Sequence, residues 1–156
     1  MKIMIRVAAL ILVLDQLSKY LVVRVLDLRS ALVIDVLPPF VTFRMAWNQG
    51  INFGLFADDG ELVRWILIAI AVVIAVWVAL WVRKERMGPL AQIAAGLLIG
   101  GAAGNSLDRL IYGAVADFLN ITCCGINNPF AFNVADISIF AGALGLIFFA
   151  SEKKAA

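Results

Sequence analysis

The chain has 156 residues, 63% of them hydrophobic, and a mean hydropathy of +0.99. Soluble domains average about 45–50% apolar residues, so a water-soluble fold of this length could not hide so much apolar surface, and a single membrane domain over residues 1–156 is the organisation that fits. The net charge is only +2 and no basic cluster is interleaved with aromatics, which leaves nucleic-acid binding without support.

A membrane-spanning helix needs about 20 mostly apolar residues, and four segments qualify: about 4–25, 62–82, 90–111 and 134–150. The first opens as Met1-Lys2-Ile3-Met4-Ile5-Arg6 before turning apolar, in the manner of a secretory signal peptide. Asp15, Gln16, Ser18 and Lys19 then interrupt the apolar run and no A-x-A site follows, so a retained first helix is expected. Asp15 and Lys19 stand at i, i+4 on one helix face, which predicts an intramembrane ion pair; orienting a site residue is the alternative. The outer segment of about 26–61 alternates apolar and polar residues around Val33 to Phe43, which predicts short strands with an amphipathic loop helix against the membrane. In Gly96 to Gly104 small residues recur at the spacing of close helix packing. Arg109 and Asp108 are expected to pair with each other or with the first helix. The second outer segment, about 112–133, is rich in turn formers: Gly113, Gly125, Asn127, Asn128 and Pro129. Cys123 and Cys124 read as loop residues, since a disulfide between neighbours is strained.

Orientation follows from where the basic residues gather. Lys2, Arg6, Arg83, Lys84, Arg86, Lys153 and Lys154 fall on one side of the four segments; Arg24, Arg29, Arg44 and Arg64 fall on the other. Both termini are therefore expected in the cytoplasm.

With that orientation the ionisable residues, which are costly inside a bilayer and mark function, converge on the outer boundary. Asn105, Asp108 and Arg109 end the third helix, Asp117 follows it, and Asn133 and Asp136 begin the fourth. Asp15 and Lys19 lie in the outer half of the first helix, and Asn48, Gln49 and Asn52 in the first outer loop. Asp117 and Asp136 are each flanked by apolar residues. Two neighbouring desolvated carboxyls can share one proton, so that the ionised member activates a water while the protonated member polarises a peptide carbonyl. That chemistry suits a chain with no histidine, which has no Ser-His or Cys-His nucleophile to offer. The plainer alternative is that each aspartate caps a helix or pairs with an arginine. A proton-coupled transporter would instead carry polar residues through the whole depth of the membrane, and the second helix and the inner halves of the others are apolar. A non-enzymatic scaffold would tolerate loss of either aspartate with effects on stability alone.

Five segments, in order and over nearly the whole chain, resemble the motifs of the lipoprotein signal peptidases. They are Asp15-Gln16-Leu17-Ser18-Lys19, Asn48-Gln49-Gly50-Ile51-Asn52-Phe53, Gly100 to Arg109, Val115-Ala116-Asp117-Phe118 and Phe132-Asn133-Val134-Ala135-Asp136. Asn52 and Ala116 depart from the residues common in that family, and Cys123-Cys124 belongs to none of its motifs. The resemblance implies a mainly α membrane protein of four transmembrane helices, with a small extracytoplasmic β-sheet and a loop helix that closes over the site. It implies an aspartic endopeptidase of the bacterial inner membrane that cuts diacylglyceryl-modified prolipoproteins just before the lipidated cysteine and is inhibited by the cyclic peptide globomycin. Carried over, Asp117 and Asp136 are the catalytic pair. Asn48, Gly50, Asn105, Asp108, Arg109 and Asn133 line or support the site with Asp15 and Lys19. The partners are the lipidated substrate and membrane lipid, the protein acts as a monomer, and neither metal nor cofactor is required. Trp47, Phe53 and Phe56 would shape an acyl groove or sit in the interfacial belt.

Overall fold

The computed structural model describes residues 1–50, 60–122 and 128–150. Its elements in chain order are α1 (Lys2–Lys19), a π-helical turn (Tyr20–Val25), α2 (Leu28–Ala31), β1 (Val33–Leu37), β2 (Val41–Asn48), α3 (Gly60–Lys84), α4 (Pro89–Tyr112), β3 (Val115–Ile121) and α5 (Val134–Phe149). The four expected helices are present with ends displaced by a few residues. The first is not α-helical throughout, because it passes into the π turn at Tyr20. Of the expected amphipathic loop helix the described residues contain only the single turn α2; Asn52, Phe53, Phe56, Cys123 and Cys124 lie outside the described residues.

α4 is the central helix, packed against α1, α3 and α5. Its small residues make this possible. Side chains added at Gly96 and Gly100 would strike Met4, Val7, Ala8 and Ile11 of α1, while one at Gly101 would strike Ala135 and Ile139 of α5. Two faces of one helix thus let two neighbours approach to backbone distance. Pro89 sits in the first turn of α4, where its missing N–H is no loss, and Gly113 closes the helix at φ +79°.

An apolar core of Met4, Val78, Val82, Met87, Ala91, Ala94, Ala95, Leu98 and Leu146 fills the space where the helices meet, away from the sheet. The outer face of α3 is the reverse of a soluble helix: Ile66, Ile70, Val73, Trp77 and Leu80 are exposed, and only 11% of its most apolar stretch is buried. Among the described residues α3 and α4 are long and apolar enough to cross a membrane; α5 is apolar but shorter, and α1 carries Lys2, Arg6, Asp15 and Lys19.

The sheet is antiparallel, ordered β1-β2-β3. Within 112–133, where the sequence shows turn formers, the structure places the strand β3. Its first four residues are buried on both faces, so the strand shows none of the alternation that betrays a half-exposed strand. Phe118 anchors it in a second core cluster with Val22 and Leu28, meeting Phe43 edge to face at 5.6 Å. On its other side β3 is bridged to the chain at Phe132, directly before α5.

Candidate active site

β3 and α5 deliver the two acids, and Asn133 joins them. Its side-chain amide donates to Asp117 Oδ1 at 2.6 Å, while its backbone N–H donates to Asp136 Oδ2 at 3.2 Å. Asn133 is also the N-cap of α5: its Oδ1 accepts from the Asp136 N–H at 2.9 Å, completing a capping box in which Asp136 is the third helical residue. The helix-capping role weighed for the aspartates is therefore real for Asp136, and it coexists with its place beside Asp117.

Each carboxylate has a second amide donor whose orientation is fixed from behind. Asn48 Nδ2 donates to Asp117 Oδ2 at 3.0 Å because Asn48 Oδ1 is occupied by the Gly50 N–H at 2.9 Å. Asn105 Nδ2 donates to Asp136 Oδ1 at 2.8 Å because its Oδ1 accepts from Lys19 Nζ at 3.3 Å and from Asn133 Nδ2 at 3.2 Å.

A buried charged layer lies beneath. Lys19 Nζ bridges Asp15 and Asp108 at 2.8 Å each. Asp15 Oδ1 accepts the backbone N–H of Ala135 at 2.9 Å, and Asp108 Oδ2 accepts that of Ala116 at 3.1 Å. The residue preceding each candidate acid is thus held by a fully buried carboxylate, and one lysine ties the two carboxylates together. The expected Asp15–Lys19 pair is present. Asp108 pairs with the first helix and not with its neighbour Arg109. Arg109 donates from Nη1 to the Asn105 carbonyl at 3.3 Å, and its buried Nε has no partner among the described residues.

Asp117 is 3% exposed. Burial, and then the charge of Asp136, push its carboxyl up to about 6; the Asn48 and Asn133 hydrogen bonds and Lys19 pull the other way without cancelling them. The carboxyl therefore takes up and releases its proton close to neutral pH.

Sequence reasoning missed Gln16. Its Nε2 donates to Asp108 Oδ1 at 2.9 Å and to Asp15 Oδ2 at 3.2 Å, closing the charged layer. Its place between Asp15 and the next helical turn was the available signal.

The family model described as Signal peptidase (SPase) II matches residues 7–151. A lipoprotein signal peptidase of Methylobacterium sp. (strain 4-46) is 39% identical over 140 residues, covering 90% of this chain and 83% of that protein. One of Caulobacter vibrioides is 36% identical over 152 residues, covering 95% and 88%. One of Methylorubrum extorquens (strain PA1) is 42% identical over 111 residues, and the match spans 64% of that relative's length. A solved structure described as a bacterial membrane enzyme superposes with a TM-score of 0.80 at 25% identity, covering 97% of this chain and 94% of that one.

Proposed function

The chain belongs to the signal peptidase II family, and on that premise we propose that it removes the signal peptide from diacylglyceryl-modified prolipoproteins, with Asp117 and Asp136 as an aspartic catalytic pair. The observation that carries the pairing is Asn133, which holds both carboxylates from one residue. A water between the acids loses a proton to the ionised member and attacks the scissile carbonyl, while the protonated member donates to the carbonyl oxygen. The member that took the water's proton then gives it to the leaving nitrogen as the C–N bond breaks, and the other recovers its proton from the collapsing diol. Asp117 is buried where Asp136 is half-buried, and its carboxyl is pushed up, so of the two it is the one better suited to hold a shared proton. Arg109, held through Nη1 on the Asn105 carbonyl and interacting in charge with both acids, is suited to balance the negative charge that develops between them.

In this reading α1, α3, α4 and α5 all cross the bacterial inner membrane, with both termini in the cytoplasm and the sheet outside. The seven basic residues on the inner side against four on the outer support that orientation. A substrate anchored by acyl chains then arrives laterally, with its scissile bond at the depth of the acids, just before the lipidated cysteine. One chain supplies both acids and the residues named around them, so a monomer suffices as the acting unit.

The test uses purified Asp117→Asn and Asp136→Asn proteins in detergent with a lipidated prolipoprotein, read by gel mobility. Each variant should fold and lose cleavage by about 10²–10⁴-fold or more. A folded variant that cuts at near wild-type rate removes that residue from the pair.

A further inference from the structure

A cavity of about 540 Å³ lies on the opposite face of β3 from the candidate acids. Consecutive strand residues point to opposite faces, and it is Ala116, not Asp117, that lines this space. Its remaining walls come from α1 and the π turn, from α2, from β2 and from the outer end of α4.

The lining has an unusual charge distribution. Lys19 and Asp108 also line it, but they are paired at 2.8 Å and Lys19 is shared with Asp15 behind the lining, so they add no positive charge. Arg24 and Arg29 are exposed and have no hydrogen bond or ion pair among the described residues. The cavity therefore carries a net positive charge from two guanidiniums. Around them stand Tyr20, Trp47 and Tyr112, with the rings of Trp47 and Tyr112 5.6 Å apart. Aromatic rings of this kind sit at the headgroup level of a bilayer.

The backbone that presents the arginines is itself costly. Arg24 lies in a π-helical turn, a rare conformation that recurs at functional sites. Arg29 lies in α2, which is flanked by two non-glycine residues in positive-φ conformations, Asp27 at +52° and Leu32 at +63°. Strain of this sort persists where the surrounding structure or a ligand repays it.

We propose that this cavity binds the phosphate headgroup of an anionic membrane phospholipid, with Arg24 and Arg29 holding the phosphate and the three aromatic rings packing on its glycerol and upper acyl region. Guanidinium forks match phosphate oxygens in geometry as well as charge. Two exposed arginines at the membrane boundary suit an anion better than the uncharged diacylglyceryl group of the proposed substrate. The site stands whether or not Asp117 and Asp136 are the catalytic pair. A bound headgroup would also brace the strand that carries Asp117.

The test is lipid titration of delipidated full-length protein in neutral detergent. Phosphatidylglycerol should raise the melting temperature and survive as a bound adduct in native mass spectrometry; phosphatidylcholine of the same chain length should do neither. Arg24→Gln/Arg29→Gln should weaken retention of phosphatidylglycerol about tenfold or more, and Arg24→Lys/Arg29→Lys should restore part of it. A photoreactive phosphatidylglycerol on the wild-type protein should label residues 20–29 or 112–116, a readout that needs no variant to fold. The proposal fails if the Gln variant responds like wild type or if labelling falls elsewhere. It fails equally if inorganic phosphate alone reproduces the shift, which would make the ligand a free anion. Displacement of the lipid by an acidic peptide at equal concentration would assign the cavity to a peptide instead.

Discussion

Ala116 and Ala135 have side chains too small to do chemistry, yet their backbone N–H groups fix where the next residue's carboxylate points. Asp108 and Asp15 hold those groups, and Lys19 holds both carboxylates. Lys19→Met would leave two buried carboxylates without a cation, at a cost of about 3–5 kcal/mol; thermal unfolding in detergent should show the loss, and cleavage should fall with it. The titration of Asp117 gives a second expectation. Its carboxyl sits near 6 in the folded protein, above the 3.8 of a free aspartate. Between those values the folded state holds a proton that the unfolded chain has released, so this contribution to stability falls as pH rises from about 4 to 6 and is flat above. Asp117→Asn should remove that slope from a plot of melting temperature against pH; an unchanged slope would assign it to another group. The Asp15–Lys19 pair was legible in the sequence because both partners lie on one helix. Asp108 meeting Lys19 rather than Arg109 was not, because that choice depends on how α4 is rotated against α1.

α4 does most of the positioning among the elements. Its glycines at 96, 100 and 104 form one face toward α1, and the last lies directly against the Asp15 carboxylate. A methyl group at Gly104 would stand 2.5 Å from Asp15 Oδ2. Asp15 cannot yield without releasing Ala135 or Lys19. Gly104→Ala should therefore cost about 1–3 kcal/mol and reduce cleavage, whereas Gly60→Ala, with nothing within 4 Å, should leave both near wild type. A comparable effect of the two substitutions, measured by thermal unfolding and cleavage rate, would remove the close contact as the cause. The helices and this small-residue face were readable because hydropathy and spacing encode them directly. β3 was not, since a strand covered on both faces has no periodicity of two. The π turn was hidden as well: Tyr20 to Val25 continues an ordinary apolar helical pattern, and only the packing of Val22 against Leu28 and Phe118 marks the change.

For the molecule as a whole, apolar composition and charge placement indicated a membrane protein, and the lipid-facing surface of α3 agrees. The proposed topology makes a concrete expectation in cells: in a variant lacking Cys123 and Cys124, a cysteine at Ser30 should react with an impermeant maleimide from the periplasmic side. A cysteine at Glu85 should react only after the inner membrane is opened. The reverse pattern would invert the orientation. The contact between Asp15 and Ala135 spans 120 positions of chain, and it bears on how the protein is made. In the proposed topology α1 enters the membrane during synthesis long before Asp108, Asn105 or Ala135 exists. At that stage the carboxylate of Asp15 has only its own helix to answer it, and Lys19, one turn further on, lets the segment enter as a locally neutral unit. Arrival of α5 then hands Asp15 a backbone N–H to accept, so a helix made some 120 residues later locks α1 in place.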